Sequence, residues 1–294
     1  MNAANPSSPV VIEVAITPLR WGEPAQSAAE MVAEARTCID AGAGIVHYHH
    51  DMRLDESAAV QQLIDVGEGI RAVSPSTLSY TDYLTGKTAR QENAHLRPMA
   101  EAGVLTMFAI DPGITTFGSF AEDGLPTRTY TDGLRFDEAH EMVELSKQLD
   151  VPISLGVFEP GHLRWILAYE EQAGFSPGTI VKLYFGGGHM VDQPGRRGIN
   201  FGLPASEAAL DVYLDMMARS RLPWIVSLFG DAILDSQLAR CAMERGGHIR
   251  VGIEDAAGQS PFSNAEMVEA AVALAGHVGR PVAAAAEVLP ALRS

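Results

Sequence analysis

The sequence predicts an α/β fold of the (β/α)8 TIM-barrel class. Eight short runs rich in β-formers alternate with helix-like stretches along the chain, and strict strand–helix alternation requires a parallel sheet, which eight units close into a barrel. The main alternative, an open doubly wound sheet, places a G-x-G-x-x-G loop after its first strand, and none follows the run at residues 10–17. At 294 residues the chain has the length of one barrel, so residues 1–294 are expected to form a single domain.

Hydrophobic pattern and Gly/Pro punctuation place the strands at residues 10–17, 44–49, 77–81, 104–110, 153–158, 180–185, 224–229 and 249–254. Helices are expected between them, at residues 27–41, 57–72, 90–102, 137–149, 205–218 and 237–244. The phrase AGAGIVH, ending at His47, marks a helix that stops at glycine and passes directly into a strand, and similar punctuation recurs at Gly103 and at Gly246–Gly247. Residues 118–136 are long for a βα connection and are expected to lie over the barrel mouth as a lid.

Composition excludes several classes of function. A net charge of −16 argues against a nucleic-acid partner, which needs a concentrated basic face. The 47% hydrophobic content and mean hydropathy of +0.05 fit an ordinary globular core. No apolar run reaches the roughly 18–20 residues of a membrane span and the start MNAANPSSPV has no signal-peptide layout, so a cytoplasmic protein without a membrane partner is expected. Cys38 and Cys241 are too few for a disulfide framework, which fits a reducing compartment and a packing role.

The chemistry concentrates at strand ends. Side chains two apart on a strand face the same way, so His47 and His49 can both project into the barrel mouth, with His50 turned to the other face. One such histidine reads as a hydrogen-bonded core residue, whereas two in register read as a metal pair. Two imidazoles leave a site short of a ligand, and Glu254, in the acid pair that closes the eighth expected strand, supplies a carboxylate. Taken alone, that pair reads equally as a helix cap. Two histidines and one carboxylate leave positions open for substrate, the mark of a catalytic rather than a structural ion. The run Gly186–Gly187–Gly188 permits close backbone approach and is either a tight turn or a site where amides receive a thioester oxygen or a phosphate.

Three segments carry a resemblance: His-x-His after AGAGIV, the block GGHIRVGIED at residues 246–255, and NAEMVEAAVALAGHVGRPVA at residues 264–283. In these the chain resembles the β-keto acid cleavage enzymes, the family of 3-keto-5-aminohexanoate cleavage enzyme, over nearly its whole length. The resemblance implies a (β/α)8 barrel, usually a homotetramer, with zinc on His47, His49 and Glu254. It implies condensation of a β-keto acid with acetyl-CoA to give acetoacetate and a new acyl-CoA. A divalent ion would stabilise the enolate such chemistry needs, Asp255 matches the family's acid as general base, and Ser79 (or Thr81) matches a substrate-binding hydroxyl.

The chain also departs from the family. Asp231 stands in Ser227–Leu228–Phe229–Gly230–Asp231 where the family carries arginine, and Arg53 is displaced from the segment after His49. Another cation, for which Arg250 shares strand parity with Glu254, is then needed, or the reaction differs. Thr17–Pro18–Leu19–Arg20 replaces Thr-Gly-Ala after the first strand, and Arg20 is expected either to select a substrate with a distal carboxylate or to lie on the surface. Two other readings stand beside the main one: a metal-dependent aldolase or hydrolase that uses no acetyl-CoA, and a metal-bound metabolite-binding protein without turnover.

Overall fold

The computed structural model describes residues 8–18, 26–84, 88–193 and 195–293. Eight parallel strands form the central sheet: β1 (Ile12–Ala15), β2 (Ile45–His47), β3 (Leu78–Tyr80), β4 (Phe108–Ile110), β5 (Ile153–Val157), β6 (Ile180–Gly186), β7 (Trp224–Phe229) and β8 (His248–Val251). Their order is β3-β2-β1-β8-β7-β6-β5-β4, the cyclic order of a barrel with its seam between β3 and β4. Thr106 stitches that seam: its hydroxyl accepts from the Ser79 N–H and donates to the Ser79 carbonyl, 2.8 Å each. The TIM-barrel expectation therefore holds, and all eight expected strands exist.

Several boundaries differ. The fourth strand begins at Phe108 rather than Val104, because the segment ahead of it meets β3 through the Thr106 side chain instead of a backbone ladder. The eighth ends at Val251. Gly252, at φ 140°, turns the chain so close to β1 that a Cβ there would sit 2.2 Å from the Ala15 carbonyl oxygen. A single helical turn, Ile253–Ala256, follows. The helix expected over residues 90–102 is two short pieces, Ala89–Glu92 and Leu96–Glu101.

Side-chain parity sorts the strands into an outer and an inner set. Outward residues such as Val14, Val46, Ile110 and Leu183 pack against the helices in one large apolar cluster. Inward residues at the lower end, Ile45, Leu78, Ile180 and Ile225, meet Val288 and Leu292 of the C-terminal helix Ala285–Leu292, which plugs the barrel floor. Above that apolar layer the interior turns polar, with Glu13, His47, Tyr80, Lys182, Ser227 and Arg250 all buried. The segment expected to cover the mouth is a hairpin, Thr115–Phe120 paired antiparallel with Pro126–Asp132, joined by the short strand Gly198–Ile199. Among the described residues, no helix is long and apolar enough to cross a membrane.

Candidate active site

The strand ends bring four donors together. His47 is the last residue of β2 and fully buried, and the His49 backbone N–H donates to Thr17 Oγ1 at 2.7 Å, which fixes the chain just past the strand. The turn after Gly252 swings Glu254 inward, and Asn264 pins that turn by accepting from the Ile253 N–H (2.9 Å) and donating to the Ile16 carbonyl (3.1 Å). The two imidazole Nε2 atoms lie 3.0 Å apart, and Glu254 Oε2 lies 3.3 Å from His47 Nε2 and 3.1 Å from His49 Nε2. Asp82, two residues past β3, adds Oδ2 at 3.4 and 3.8 Å from the same nitrogens. The ligand atoms of all four lie within 4.8 Å of one another.

These separations fit a metal. Ligand atoms about 2.0–2.1 Å from one tetrahedral ion stand roughly 3.3–3.4 Å apart, and Glu254 Oε2 is buried without a hydrogen-bond partner. Burial by itself would push the His47 imidazole down, but the Asp82 and Glu254 carboxylates outweigh it and hold its pKa up at about 9. Burial likewise opposes ionisation of Glu254, yet His47, His49 and Arg250 hold it well below the usual carboxylate range. The expected trio is thus brought together, and Asp82 is a fourth donor that the sequence did not single out.

Beneath the donors lies a buried charge network. Arg250 donates to both oxygens of Asp255 (Nε to Oδ2 and Nη2 to Oδ1, 2.8 Å each), to Glu254 Oε1 (2.7 Å) and to Glu13 Oε1 (3.0 Å). Lys182 on β6 donates to Glu13 Oε1 at 2.6 Å and to the Tyr80 hydroxyl. Burial pushes the Lys182 ammonium down from its ordinary pKa, and Glu13 offsets part of that. The network faces a cavity of about 320 Å³ lined by His49, Asp82, Glu254, Tyr80, Lys182 and Tyr184, with Asp111, Phe117, Tyr130, Asp132 and Phe158 on its other side.

The remaining expected residues fare unevenly. Asp255 is buried beside Glu254, but its carboxylate faces Arg250 and the Ser227 hydroxyl, away from the cavity wall. Ser79 does not reach the cavity: Tyr80, its neighbour on β3, takes the inward position, so strand alternation turns Ser79 outward, where it hydrogen-bonds Tyr48. The amides of Gly186, Gly187 and Gly188 are already engaged, donating to the Leu203 carbonyl, the Phe229 carbonyl and Asp231 Oδ2. This run is a packed turn rather than a nest for a thioester or phosphate, and Asp231, the residue in place of the family arginine, caps it. Arg20 lies outside the described residues.

A TIM barrel whose strand ends gather two histidines and two carboxylates beside a cavity presents a donor set that could hold a metal ion. The chain matches the beta-keto acid cleavage enzyme family over residues 9–293 and is a member of it. It is 26% identical over 266 residues to the 3-keto-5-aminohexanoate cleavage enzyme of Fusobacterium nucleatum, covering 86% of this chain and 85% of that protein. Among solved structures it is similar to ObcA in a ternary complex with a C4-CoA adduct and oxalate, at TM-score 0.63 and 13% identity, over 90% of this chain and 66% of that longer one. It is also similar to 3-dehydroquinate dehydratase of Geobacillus kaustophilus, at TM-score 0.55 and 10% identity, over 92% and 93% of the two chains. At these identities the structural likeness speaks for the barrel alone.

Proposed function

We propose that this protein is a zinc-dependent β-keto acid cleavage enzyme that condenses its substrate with acetyl-CoA, yielding acetoacetate and an acyl-CoA. The observation that carries the reading is the cluster of His47, His49, Asp82 and Glu254 at the edge of a cavity large enough for a small keto acid. Membership of the family supports the reaction, and the CoA adduct held by ObcA supports a CoA thioester as co-substrate.

His47, His49 and Glu254 would hold the ion, with Asp82 as the fourth ligand until substrate arrives. When bound, zinc supplies Lewis-acid stabilisation of negative charge developing on the keto oxygen. The chain's own residues do the rest. Arg250 orients Glu254 and engages both oxygens of Asp255, and we assign Asp255, whose carboxylate must turn from Arg250 toward the cavity to act, the proton of the carbon between the two carbonyls. Lys182, two of whose three protons go to Glu13 and Tyr80, keeps one on the cavity wall for a substrate oxygen, while the Tyr80 proton is committed to Glu13. The hairpin closes the mouth with Phe117 and Tyr130 and keeps water from the enolate.

Turnover of a β-keto acid panel by metal-loaded protein, with and without acetyl-CoA and with His49→Ala as control, tests the reading. Acetoacetate is expected only when acetyl-CoA and His49 are both present. Turnover independent of acetyl-CoA makes the protein an aldolase or hydrolase, and silence with stoichiometric metal removes the reaction. Asp255→Asn is expected to abolish deuterium exchange at the carbon between the carbonyls with metal retained; exchange at the wild-type rate would reduce Asp255 to holding Arg250.

A further inference from the structure

The charge network beneath the metal donors holds two buried cations, Arg250 and Lys182. A guanidinium stays charged in proteins, so only the lysine can lose a proton and become a nucleophile. Lys182 lies on β6 between Val181 and Leu183, which face the helices, so its parity is inward, and its side chain ends on the cavity wall above Ile180 of the barrel floor. An arginine would neutralise Glu13 as well, and the chain uses arginine almost everywhere else: its only lysines are Lys87, Lys147 and Lys182, among 21 lysines and arginines. Lys147 is exposed and paired with Glu144 at 3.0 Å, and Lys87 lies outside the described residues.

The surroundings of Lys182 suit a change of protonation state. Burial pushes its ammonium below the ordinary pKa; Glu13 opposes this and Arg250 adds to it. A lysine that is desolvated or set beside another cation is the kind that reacts as an amine. Glu13 Oε1, 2.6 Å from Lys182 Nζ, also accepts from Tyr80 and Arg250, whereas Oε2 is buried with no hydrogen-bond partner, so one oxygen of the neighbouring acid is open to hold a proton. The rings of Tyr80 and Tyr184 flank Nζ, with centroids at 4.7 and 5.8 Å, and Phe158 and Phe229 line the same cavity. Such walls solvate a carboxylate poorly and favour its loss as neutral CO2.

We propose that Lys182, as the amine, forms an imine with the keto group of a β-keto acid, which gives the cavity a second activity, decarboxylation of β-keto acids to ketones. The ammonium first passes a proton to Glu13. The Nζ lone pair then adds to the ketone carbon, and the carbonyl oxygen takes up protons and leaves as water, giving a protonated imine. The bond between the α-carbon and the carboxylate breaks, its electron pair moving toward the cationic nitrogen as CO2 departs and leaves an enamine. A proton returns to the α-carbon, and water releases the ketone and restores the amine. One β-keto acid and one proton thus become one ketone and one CO2, with no oxidant or thioester consumed. This rests on the proposed function only in needing a β-keto acid to enter the cavity: the ammonium serves cleavage as a donor, the amine serves decarboxylation. Release of CO2 also sets this activity apart from acetyl-CoA-independent cleavage by an aldolase or hydrolase.

The test traps the imine. Metal-loaded protein is incubated with acetoacetate and sodium cyanoborohydride, CoA thioesters are left out so that the cleavage reaction is silent, and the lysines are mapped by peptide mass spectrometry. Reduction is expected to fix a propan-2-yl group, or the four-carbon acid itself, on Lys182 close to stoichiometrically, with Lys87 and Lys147 unlabelled. Without the reductant, CO2 is expected to leave acetoacetate faster than in buffer. That release is expected to be lost in the labelled protein and in Lys182→Arg, which keeps a cation beside Glu13; the label map of the wild-type chain needs no variant to fold. An unlabelled Lys182, label spread evenly over the three lysines, CO2 release at the buffer rate, or release that survives labelling or Lys182→Arg overturns the proposal. Because acetyl-CoA is absent, failure here leaves the proposed cleavage standing, and failure of the cleavage leaves this result standing.

Discussion

Arg250 bridges Glu254 and Asp255 through a single nitrogen: Nη2 lies 2.7 Å from Glu254 Oε1 and 2.8 Å from Asp255 Oδ1. The residue that presents a ligand to the metal site and the acid that follows it are thus set by one guanidinium, itself buried and anchored on Glu13. Removing that cation leaves three buried carboxylates facing one another. Arg250→Met is therefore expected to cost about 3–5 kcal/mol of stability, read by urea unfolding. It is also expected to weaken metal binding about 10–100-fold, as loss of a group that orients a ligand does. Full activity and affinity in Arg250→Met would show that Glu254 is positioned without it.

Glu13 and Lys182 meet at 2.6 Å on strands separated by β8 and β7, in an interior from which water is excluded. Their mutual attraction offsets desolvation only while both are present. Glu13→Gln and Lys182→Met are each expected to destabilise by several kcal/mol, about 3–5 for the lysine. The double variant is expected to lose clearly less than the sum, with a coupling of about 1–3 kcal/mol in a double-mutant cycle. Additive losses would mean that Arg250 and Tyr80 alone satisfy Glu13.

The sequence revealed the architecture because strand and helix alternate with glycine at the junctions, and it revealed His47 and His49 because their spacing matches strand parity. Glu254 was legible as a residue but not as a position: the acid pair reads as the end of a strand, and only the positive φ of Gly252 shows that the chain has already turned into a helix. Ser79 failed by one residue, since a shift of one on a strand exchanges the faces. Asp82 and Asp111 sit in loops just past β3 and β4, where an acid is ordinary, and nothing local distinguishes them. Lys182 and Arg250 did leave a signal, a charge inside the apolar runs IVKLYF and HIRV at inward parity, which only a charged barrel interior explains.

His248 offers a pH test away from the metal. Its Nδ1 accepts the Val11 N–H at 3.0 Å, which requires a neutral ring, and burial followed by the nearby Arg280 pushes its pKa down from 6.5 to about 3. Between those values the unfolded chain binds a proton that the folded chain does not, so stability rises with pH in this window and falls as pH drops below 6.5. The contribution is about 1.4 kcal/mol per pH unit. His248→Asn, which can keep an acceptor near the Nδ1 position, is expected to flatten the slope of unfolding free energy by about half that amount at pH 6.5 and by nearly all of it at pH 5. A slope equal to the wild type's would mean that His248 titrates alike in both states.

Asp82 differs from the other three donors in ways that bear on catalysis. Its side chain is 32% exposed whereas those of His47 and Glu254 are buried, and its contacts to the two imidazoles, 3.4 and 3.8 Å, are the longest in the set. A site closed by four protein ligands is structural, whereas a catalytic ion keeps one position for substrate, so one donor must be able to withdraw, and Asp82 is the one with room to do so. Asp82→Asn is expected to keep stoichiometric metal with an affinity loss no greater than about 100-fold, measured by competition with a chromogenic chelator. His49→Ala is expected to lose stoichiometric metal under the same conditions. Equal losses in the two variants would make Asp82 an obligatory ligand and leave the substrate oxygen to enter as a fifth; a small loss in Asp82→Asn with a changed KM would mark it as the ligand that substrate displaces.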